Sequence, residues 1–237
     1  IIIILFIFII FFDKDILIMQ SFFKIFFLFF LLSNCKLLYS QSNELREEYR
    51  QTNKYFKEQN FSKALESNNR ALELSIKEFG KLHLTTATLY ENQARLLMEL
   101  QDYEKAEIIL REVVETRNEL IEDYSPELAE ALDYLALSLR KQNKLEKAII
   151  EHNKVLNIMG NIIANNPGQI SELSRRSALY RARAYYTKGK LLIKQDNFSE
   201  ASGNFAIASK IFERTLGKNK KELEELKIDM MKLKEKN

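Results

Sequence analysis

One six-residue pattern occurs four times in this chain of 237 residues, and in each copy a large apolar residue stands three positions before an alanine. The copies are Gln59-Asn60-Phe61-Ser62-Lys63-Ala64, Gln101-Asp102-Tyr103-Glu104-Lys105-Ala106, Asn143-Lys144-Leu145-Glu146-Lys147-Ala148 and Asp196-Asn197-Phe198-Ser199-Glu200-Ala201. The alanines are spaced by 42, 42 and 53 residues, and the last interval is the same period with eleven extra residues. Repetition at this length is typical of proteins built from stacked supersecondary units.

The residues around each alanine predict a pair of helices. Apolar residues follow the alanine at helical spacing, for example Phe205, Ala208 and Phe212 after Ala201. A large apolar residue stands nine positions ahead of each alanine, and a small residue stands twelve positions ahead in three of the four copies. Helices of this kind cannot bury their apolar stripes alone, so they must stack on neighbours. We therefore expect an all-α solenoid of antiparallel pairs in which the alanine marks the closest crossing.

The composition excludes several other classes of protein. Six Gly and two Pro are too few for an all-β fold, which needs frequent turns. A net charge of +3, from 36 basic and 33 acidic residues, gives no argument for nucleic acid or for an acidic membrane surface. The single cysteine, Cys35, excludes an internal disulfide and a cysteine-based zinc site. Two histidines leave little material for metal or acid–base chemistry.

The joins between the pairs resemble those of a known family. The chain runs Gly80-Lys81-Leu82-His83-Leu84-Thr85-Thr86-Ala87 before the second copy, and Ser125-Pro126 stands before the third. With the repeated alanines, these joins resemble the tetratricopeptide repeat family, in the 42-residue variety of kinesin light chains and many bacterial proteins. The join of that variety is Gly-x-x-His-Pro-x-x-Ala, and Leu84 stands here in the proline place. The resemblance implies a right-handed superhelical solenoid of about four pairs plus a C-terminal capping helix.

The repeat divides the chain into segments. Residues 41–217 are expected to hold four repeats, at about 45–80, 85–122, 127–164 and 171–217. Residues 161–170 contain Asn165-Asn166-Pro167-Gly168, which predicts an irregular loop that accounts for the eleven extra residues. Residues 218–237 are highly charged with apolar residues at helical spacing, which predicts a capping helix or tail whose apolar face covers the last pair.

The first forty residues differ from the rest of the chain. Residues 1–12 are wholly apolar, but they are too few to span a bilayer as a helix. From Met19 the chain resembles a secretory signal, because Lys24 precedes a short apolar core over 25–32 and a more polar stretch over 33–40. We expect 1–18 to be upstream sequence or a fragment edge, Met19 to be the native start, and 19–40 to be a signal peptide or N-terminal anchor.

Three outcomes remain open for this signal. The first is cleavage after Ser40, and the second is lipidation of Cys35. Leu32-Ser33-Asn34-Cys35 partly resembles a bacterial lipobox, from which Asn34 departs because a small residue is expected before the cysteine. The third outcome is an uncleaved anchor. Each of them exports the repeats, so we expect a periplasmic, secreted or envelope-anchored protein that reaches the membrane only through this segment or its lipid.

The resemblance also implies a concave groove, lined by the first helix of each pair, in which peptides bind. By helical phase the lining mixes Arg and Tyr with other polar residues, and these two types often carry interface energy. The lining residues are Arg46, Tyr49, Arg50, Asn53, Glu91, Asn92, Arg95, Glu130, Asp133, Tyr134, Arg140, Arg183, Tyr186 and Lys190. Some members hold a peptide carboxylate with a Lys/Asn/Asn/Lys/Arg clamp. Only Asn53 and Asn92 fit it, and Tyr49, Glu130 and Tyr134 occupy the other three places, so we reject that ligand.

Two further groups of residues have competing interpretations. The densest basic stretch comprises Arg175, Arg176, Arg181, Arg183, Lys188 and Lys190, interleaved with tyrosines. It is either a contact for an acidic partner or nucleic acid or a solvated helix face, and the second interpretation is preferred. His83 stands at the family's join position and is expected to cap or pack there. His152 is expected to fill the core and to face the next pair.

These features predict a protein-binding scaffold with a protein or peptide partner, and not an enzyme. No catalytic constellation, cofactor site or metal site can be assembled from the sequence, and no nucleic-acid partner is expected. The alternative is the N-terminal regulatory region of a larger, truncated enzyme, because bacterial arrays of this type often precede a caspase-like peptidase or a sensor kinase. The sequence does not determine the oligomeric state or the identity of the partner.

Overall fold

Nine helices make up the part of the chain that the computed structural model describes, which is residues 43–121, 124–165, 170–215 and 221–235. No strand occurs in these ranges. The helices are α1 (43–57), α2 (Phe61–Phe79), α3 (Leu84–Glu99), α4 (Tyr103–Leu120), α5 (Pro126–Lys141), α6 (Leu145–Asn165), α7 (Ile170–Lys194), α8 (Phe198–Thr215) and α9 (Lys221–Lys234). The chain divides into two units, Ile1–Glu47 and Glu48–Asn237, and the architecture below is that of the second. The predicted segments 1–18 and 19–40, and Cys35, lie outside the described residues.

The helices form four pairs, α1–α2, α3–α4, α5–α6 and α7–α8, and α9 packs against α8. Each helix from α2 to α8 also contacts the next one along the chain, and the first helices of neighbouring pairs contact each other, α3 with α5 and α5 with α7. This nearest-neighbour packing is that of a solenoid, in which each repeat buries its apolar face on the next. The predicted all-α, right-handed superhelical solenoid is confirmed.

The repeated alanines lie at the crossing points of the pairs. Ala64, Ala106, Ala148 and Ala201 are all fully buried. The residues twelve positions ahead of them, Thr52, Ala94, Ala136 and Gly189, are buried as well. At Gly189 an added Cβ would come within 2.5 Å of the Phe205 ring and 3.3 Å of the Ala201 carbonyl oxygen. The pairs therefore close on each other through side chains that are small enough to let two helices meet.

The turn inside each pair has a backbone feature that the sequence analysis missed. Gln59, Gln101, Asn143 and Asp196 each stand five residues before the alanine, and all four have a positive φ, between 57° and 66°. In each turn the next residue donates its amide to the carbonyl five residues back, as Asp102 does to Leu97 at 2.9 Å. The left-handed residue donates to the carbonyl three residues back, as Gln101 does to Met98 at 3.1 Å. These are Schellman motifs, which end the first helix and reverse the chain.

Side chains at the helix starts satisfy the free amides there. Asn60 and Asp102 accept hydrogen bonds from the amides of Lys63 and Lys105, and Ser125 accepts one from Leu128 ahead of a proline in the first turn. His83 accepts a hydrogen bond from the Thr85 amide at 3.1 Å. Its ring also stacks on Phe79, with 4.6 Å between centroids. His83 thus both caps α3 and packs at the join.

The joins between pairs differ from one prediction made above. Gly80 ends α2 with a φ of 86°, in the left-handed region that glycine tolerates. The loop predicted over 161–170 is wrong for most of its length, because α6 continues to Asn165 and α7 begins at Ile170. The extra residues lengthen these two helices. Helix α6 has 21 residues, against 18 in α4, and helix α7 has 25 residues, against 16 in α5. Tertiary packing outweighed the local turn composition there.

Among the residues described here, no helix is both long enough and apolar enough to cross a membrane.

Replacing Gln101 by glycine should stabilise the protein, because its left-handed conformation is strained for a residue with a Cβ. We expect the free energy of unfolding to rise by about 0.5–1 kcal/mol, and Gln101→Val to lower it by at least as much. Urea unfolding followed by circular dichroism measures both. Glu104→Gly, three residues later within α4, is the matched control and should destabilise. Equal effects at the two positions would contradict the assignment of the turn.

Two glycines in neighbouring helices should respond oppositely to the same substitution. Gly189→Ala places a methyl group against the Phe205 ring and should cost about 1–3 kcal/mol. Gly203→Ala meets nothing within 4 Å, and the higher helix propensity of alanine should raise stability by up to about 1 kcal/mol. Thermal unfolding of both variants tests the close approach of α7 and α8. A stability loss from Gly203→Ala as large as that from Gly189→Ala would argue against it.

Candidate binding groove on the inner face

A cavity of about 310 Å³ lies on the face shared by the first helices of the four pairs. Its lining residues come from α1, α3, α5 and α7, with one from α4 and three from α9. They are Phe56, Arg95, Met98, Glu99, Tyr103, Tyr134, Leu137, Arg140, Lys141, Arg183, Lys221, Glu222 and Glu225. Five cations and three carboxylates stand among them, so the cavity has an excess of positive charge.

Some of the residues predicted to line the groove are accessible and others are not. Tyr49, Arg50 and Asn53 are exposed on α1, where Tyr49 and Asn53 stand seven and three residues before Phe56 and therefore share its face. Arg46 is exposed too, within the first unit. The half-buried members are Asn92, Arg95, Glu130, Tyr134, Arg183 and Lys190. The buried members are Glu91, Asp133, Arg140 and Tyr186.

Arginine and lysine side chains alternate with aromatic rings along this face. The guanidinium of Arg95 lies 5.7 Å from the Phe56 ring and 5.1 Å from the Tyr134 ring, so it bridges three successive first helices. Farther along, Arg140 lies 4.5 Å from the Tyr186 ring and Lys190 lies 5.8 Å from it. Cation–π contacts of this kind fix the long cationic side chains against the wall of the groove. The mixture of Arg and Tyr seen in the sequence is therefore a contiguous stacked arrangement.

Glu91 is held away from the groove by an ion pair. Arg117 of α4 donates to the Glu91 carboxylate at 2.5 Å and to the Glu127 carbonyl at 2.6 Å, and both charged side chains are almost fully buried. Burial raises the pKa of Glu91, and the guanidinium of Arg117 opposes that shift. The pair ties the second repeat to the start of the third, so Glu91 has a structural role.

Asp133, Arg183 and Glu222 form a charged cluster at the centre of the inner face. Arg183 of α7 donates to the Asp133 carboxylate on α5, and its Nε donates to Glu222 of α9 at 3.0 Å. Burial raises the pKa of Asp133 to about 6, against the opposing effect of Arg183. The pKa of Glu222 falls instead, since the attraction of Arg183 and Arg140 outweighs its burial. One guanidinium thus joins two repeats and the C-terminal helix.

A histidine completes this cluster on its inner side. His152 of α6 is 1% exposed, and its Nε2 lies 3.1 Å from the hydroxyl of Thr187 on α7. Its Nδ1 lies 3.7 Å from Asp133, so hydroxyl, imidazole and carboxylate stand in the order of a hydrolytic triad. Thr187, however, is fully buried and donates to the Arg183 carbonyl, so its oxygen cannot reach a substrate. Burial, with Arg140 and Arg183 nearby, lowers the pKa of His152, and the neutral ring packs between pairs as predicted.

The basic stretch of α7 is largely paired with carboxylates of the same chain. Arg175 contacts Glu172, and Arg176 contacts Glu130 at 3.0 Å. Lys188 pairs with Glu200 and Lys190 with Asp229. Only part of the stretch is the solvated face that the sequence favoured, because Arg183 is enclosed and Arg181 is exposed. Within the described residues, no group of three or more His, Cys, Asp and Glu is placed to hold a metal ion.

The acidic side of α9 was missed by the sequence analysis. Leu223, Leu226 and Leu233 pack into a core cluster with residues of α7 and α8, so the apolar side lies on the last pair. The acidic side faces the groove, where Glu225 accepts from Lys141 at 2.6 Å and Asp229 accepts from the Tyr186 hydroxyl at 2.7 Å. At the start of α9, Lys221 reaches Glu99 of α3 at 2.8 Å. The sequence does contain a signal for this acidic side, because Glu222 and Asp229 stand seven residues apart beside the leucines.

The architecture and the groove define a class: a helical-repeat scaffold for protein–protein interaction. The family model described as "Tetratricopeptide repeat" matches residues 55–119 and 85–161, which together cover α2, the second pair and most of the third. Residues 55–161 therefore match the tetratricopeptide repeat family. This fold is generally non-catalytic.

Solved structures show the same fold at low sequence identity. A BtubC (BKLC) protein from P. vanneervenii has a TM-score of 0.55 and 21% identity, over 70% of this chain and 62% of that one. Kinesin-light-chain nearly identical TPR-like repeats from Podosopora anserina also have a TM-score of 0.55, at 14% identity, over 81% of this chain and 95% of that one. The chain thus spans less than two thirds of the first structure. No curated protein matches the sequence closely enough to count as a relative.

Removing Arg183 should destabilise the protein strongly, because it leaves Asp133 and Glu222 without their shared cation. We expect Arg183→Met to cost about 3–5 kcal/mol, as is usual when one partner of a buried pair is lost. Arg181→Met, two residues earlier and exposed, is the matched control and should change stability by less than about 0.5 kcal/mol. Urea unfolding measures both, and similar small effects at the two sites would contradict the central role of Arg183.

Proposed function

We propose that this protein is an exported scaffold that binds a segment of a partner protein along its inner face. The proposal is carried by one observation, the groove cavity ringed by stacked cations and aromatic rings. Arg and Tyr concentrate binding energy at interfaces, because they bring large contact areas and several hydrogen-bond donors. An excess of cations at the cavity favours a partner segment with acidic groups.

Arg140 supports a ligand at this place. Its side chain lines the cavity and is 3% exposed. Within the described part of the chain, its two terminal nitrogens make no hydrogen bond, although one lies 3.9 Å from Glu222. An unsatisfied buried donor costs free energy. A carboxylate or carbonyl oxygen that enters the cavity therefore gains from meeting it.

Export is part of the proposal and rests on the sequence of 19–40, which combines Lys24 with a short apolar core. The alternative, a regulatory region of a larger enzyme such as a caspase-like peptidase or a sensor kinase, stays a prediction. Sequencing the gene past codon 237 would separate the two.

Crosslinking at single positions should test both the groove and the location. With p-benzoylphenylalanine at Tyr49, on the groove face of α1, irradiation of living cells should give a covalent adduct in the envelope fraction. The same group at Ile150, exposed on the second helix α6, is the control and should give none. Adding Arg95→Glu should reduce the Tyr49 adduct at least about threefold, because it reverses a groove charge.

The outcomes of this experiment test the two parts of the proposal, the groove and the export, separately. Equal adducts from Tyr49 and Ile150, or an adduct indifferent to Arg95→Glu, would remove the groove from the proposal. An adduct found only in the cytoplasmic fraction would remove export and leave the groove.

A further inference from the structure

The C-terminal helix α9 lies where a groove ligand would lie. Its residues Lys221, Glu222 and Glu225 form the wall of the cavity together with residues such as Arg95 and Tyr134. It contacts the inner faces of three pairs, through Glu99 on α3, Lys141 on α5 and Arg183 on α7. A helix that only closed the end of a solenoid would need contacts with the last pair alone.

The contacts of α9 divide into two stripes with different chemistry. Leucines 223, 226 and 233 form the apolar stripe and are at most 6% exposed. Acidic residues Glu222, Glu225 and Asp229 form the second stripe, and their spacing of three and four residues places them on one face. Their partners on the groove are Arg183 at 3.0 Å, Lys141 at 2.6 Å and Lys190 at 3.5 Å.

Charge complementarity is therefore built into the C-terminal half of the groove. Asp229 also accepts from the Tyr186 hydroxyl, so a ring and a cation hold the same carboxylate. Solvent reaches the ion pairs in part, since the side chains of Lys141 and Glu225 are 29% and 30% exposed. Partly exposed pairs are weak singly and can exchange for equivalent ones.

We propose that α9 is a built-in ligand that covers the C-terminal half of the groove, and that the partner competes for this place with an acidic amphipathic helix of its own. The helix that fits has acidic residues at positions i, i+3 and i+7 and leucines at i+1 and i+4, as α9 has from Glu222. This inference rests on the proposed function. It leaves the N-terminal half of the groove accessible. A tethered helix competes at an effective concentration on the order of millimolar, so α9 sets a threshold that the partner must exceed.

The test uses the full chain and a fluorescein-labelled peptide with the sequence of Lys221–Lys234. Wild-type protein should bind it weakly, because α9 holds the site. The variant Glu225→Lys with Asp229→Lys loosens α9 and should bind the peptide at least about tenfold more tightly in fluorescence anisotropy. Glu224→Lys with Glu235→Lys makes the same charge change at exposed positions of the C-terminal segment and should bind as weakly as wild type.

A charge exchange tests the register of the helix. Lys141→Glu in a variant loosened instead by Glu225→Gln with Asp229→Asn, in which α9 has no cation at position 225 for the new carboxylate, should weaken binding of the wild-type peptide. A peptide that carries Glu225→Lys should restore it, because the ion pair is rebuilt with reversed signs. If the lysine variants lose their helical circular dichroism, Glu225→Gln with Asp229→Asn takes their place.

Equal affinity of wild type and the loosened variant, or no binding to either, would overturn the inference. A wild-type dimer in light scattering that the peptide converts to monomer would also overturn it, because α9 would then exchange between copies. An inner-face crosslink without peptide binding would leave the proposed function standing and remove this inference alone.

Discussion

The close crossing of two helices at a small buried residue is the constraint on which the rest of this structure depends. Ala64, Ala106, Ala148 and Ala201 are fully buried, and in the fourth pair Gly189 meets the Phe205 ring with no room for a Cβ. Side chains of this size let the two helices of each pair come into close contact. The four left-handed turn residues, at the same place in every pair, reverse the chain in the same way each time.

Because the pairs are held in this way, the first helices stand side by side and their polar residues accumulate on one face. Residues from separate repeats then form one stacked series, from Phe56 through Arg95 to Tyr134. Two buried ion pairs add to this arrangement: Glu91 with Arg117 joins the two helices of one repeat, and Asp133 with Arg183 joins neighbouring repeats. Such pairs are costly to break and add little net stability compared with apolar packing. Their effect here is to fix which side chains remain available to a ligand.

Predictions from the sequence were correct where the signal was local and periodic. The helix pairs, their buried alanines, the cap at His83 and the packing of His152 follow from residue size, helical spacing and hydrogen-bonding capacity. It failed at residues 161–165, where a turn-like composition was overruled because the long helices α6 and α7 gain more by packing. It also missed the left-handed turns, because Gln59 and Gln101 are not residues that favour this conformation.

What the sequence by itself determined is thus the repeat: a helix pair of fixed period with a small residue at its crossing, since both are set by neighbours along one helix. What only the tertiary structure decided is which charged side chains pair with each other and which of them are buried. Glu91 and Asp133 stand at equivalent positions, 15 residues before Ala106 and Ala148, yet Glu91 pairs with Arg117 of its own repeat and Asp133 with Arg183 of the next repeat. The acidic stripe of α9 meets a cation 84 residues away, Lys141, and Lys221 of the same helix meets Glu99 across 122 residues. Coulombic partners act through space, so a linear pattern names the charges without assigning their partners.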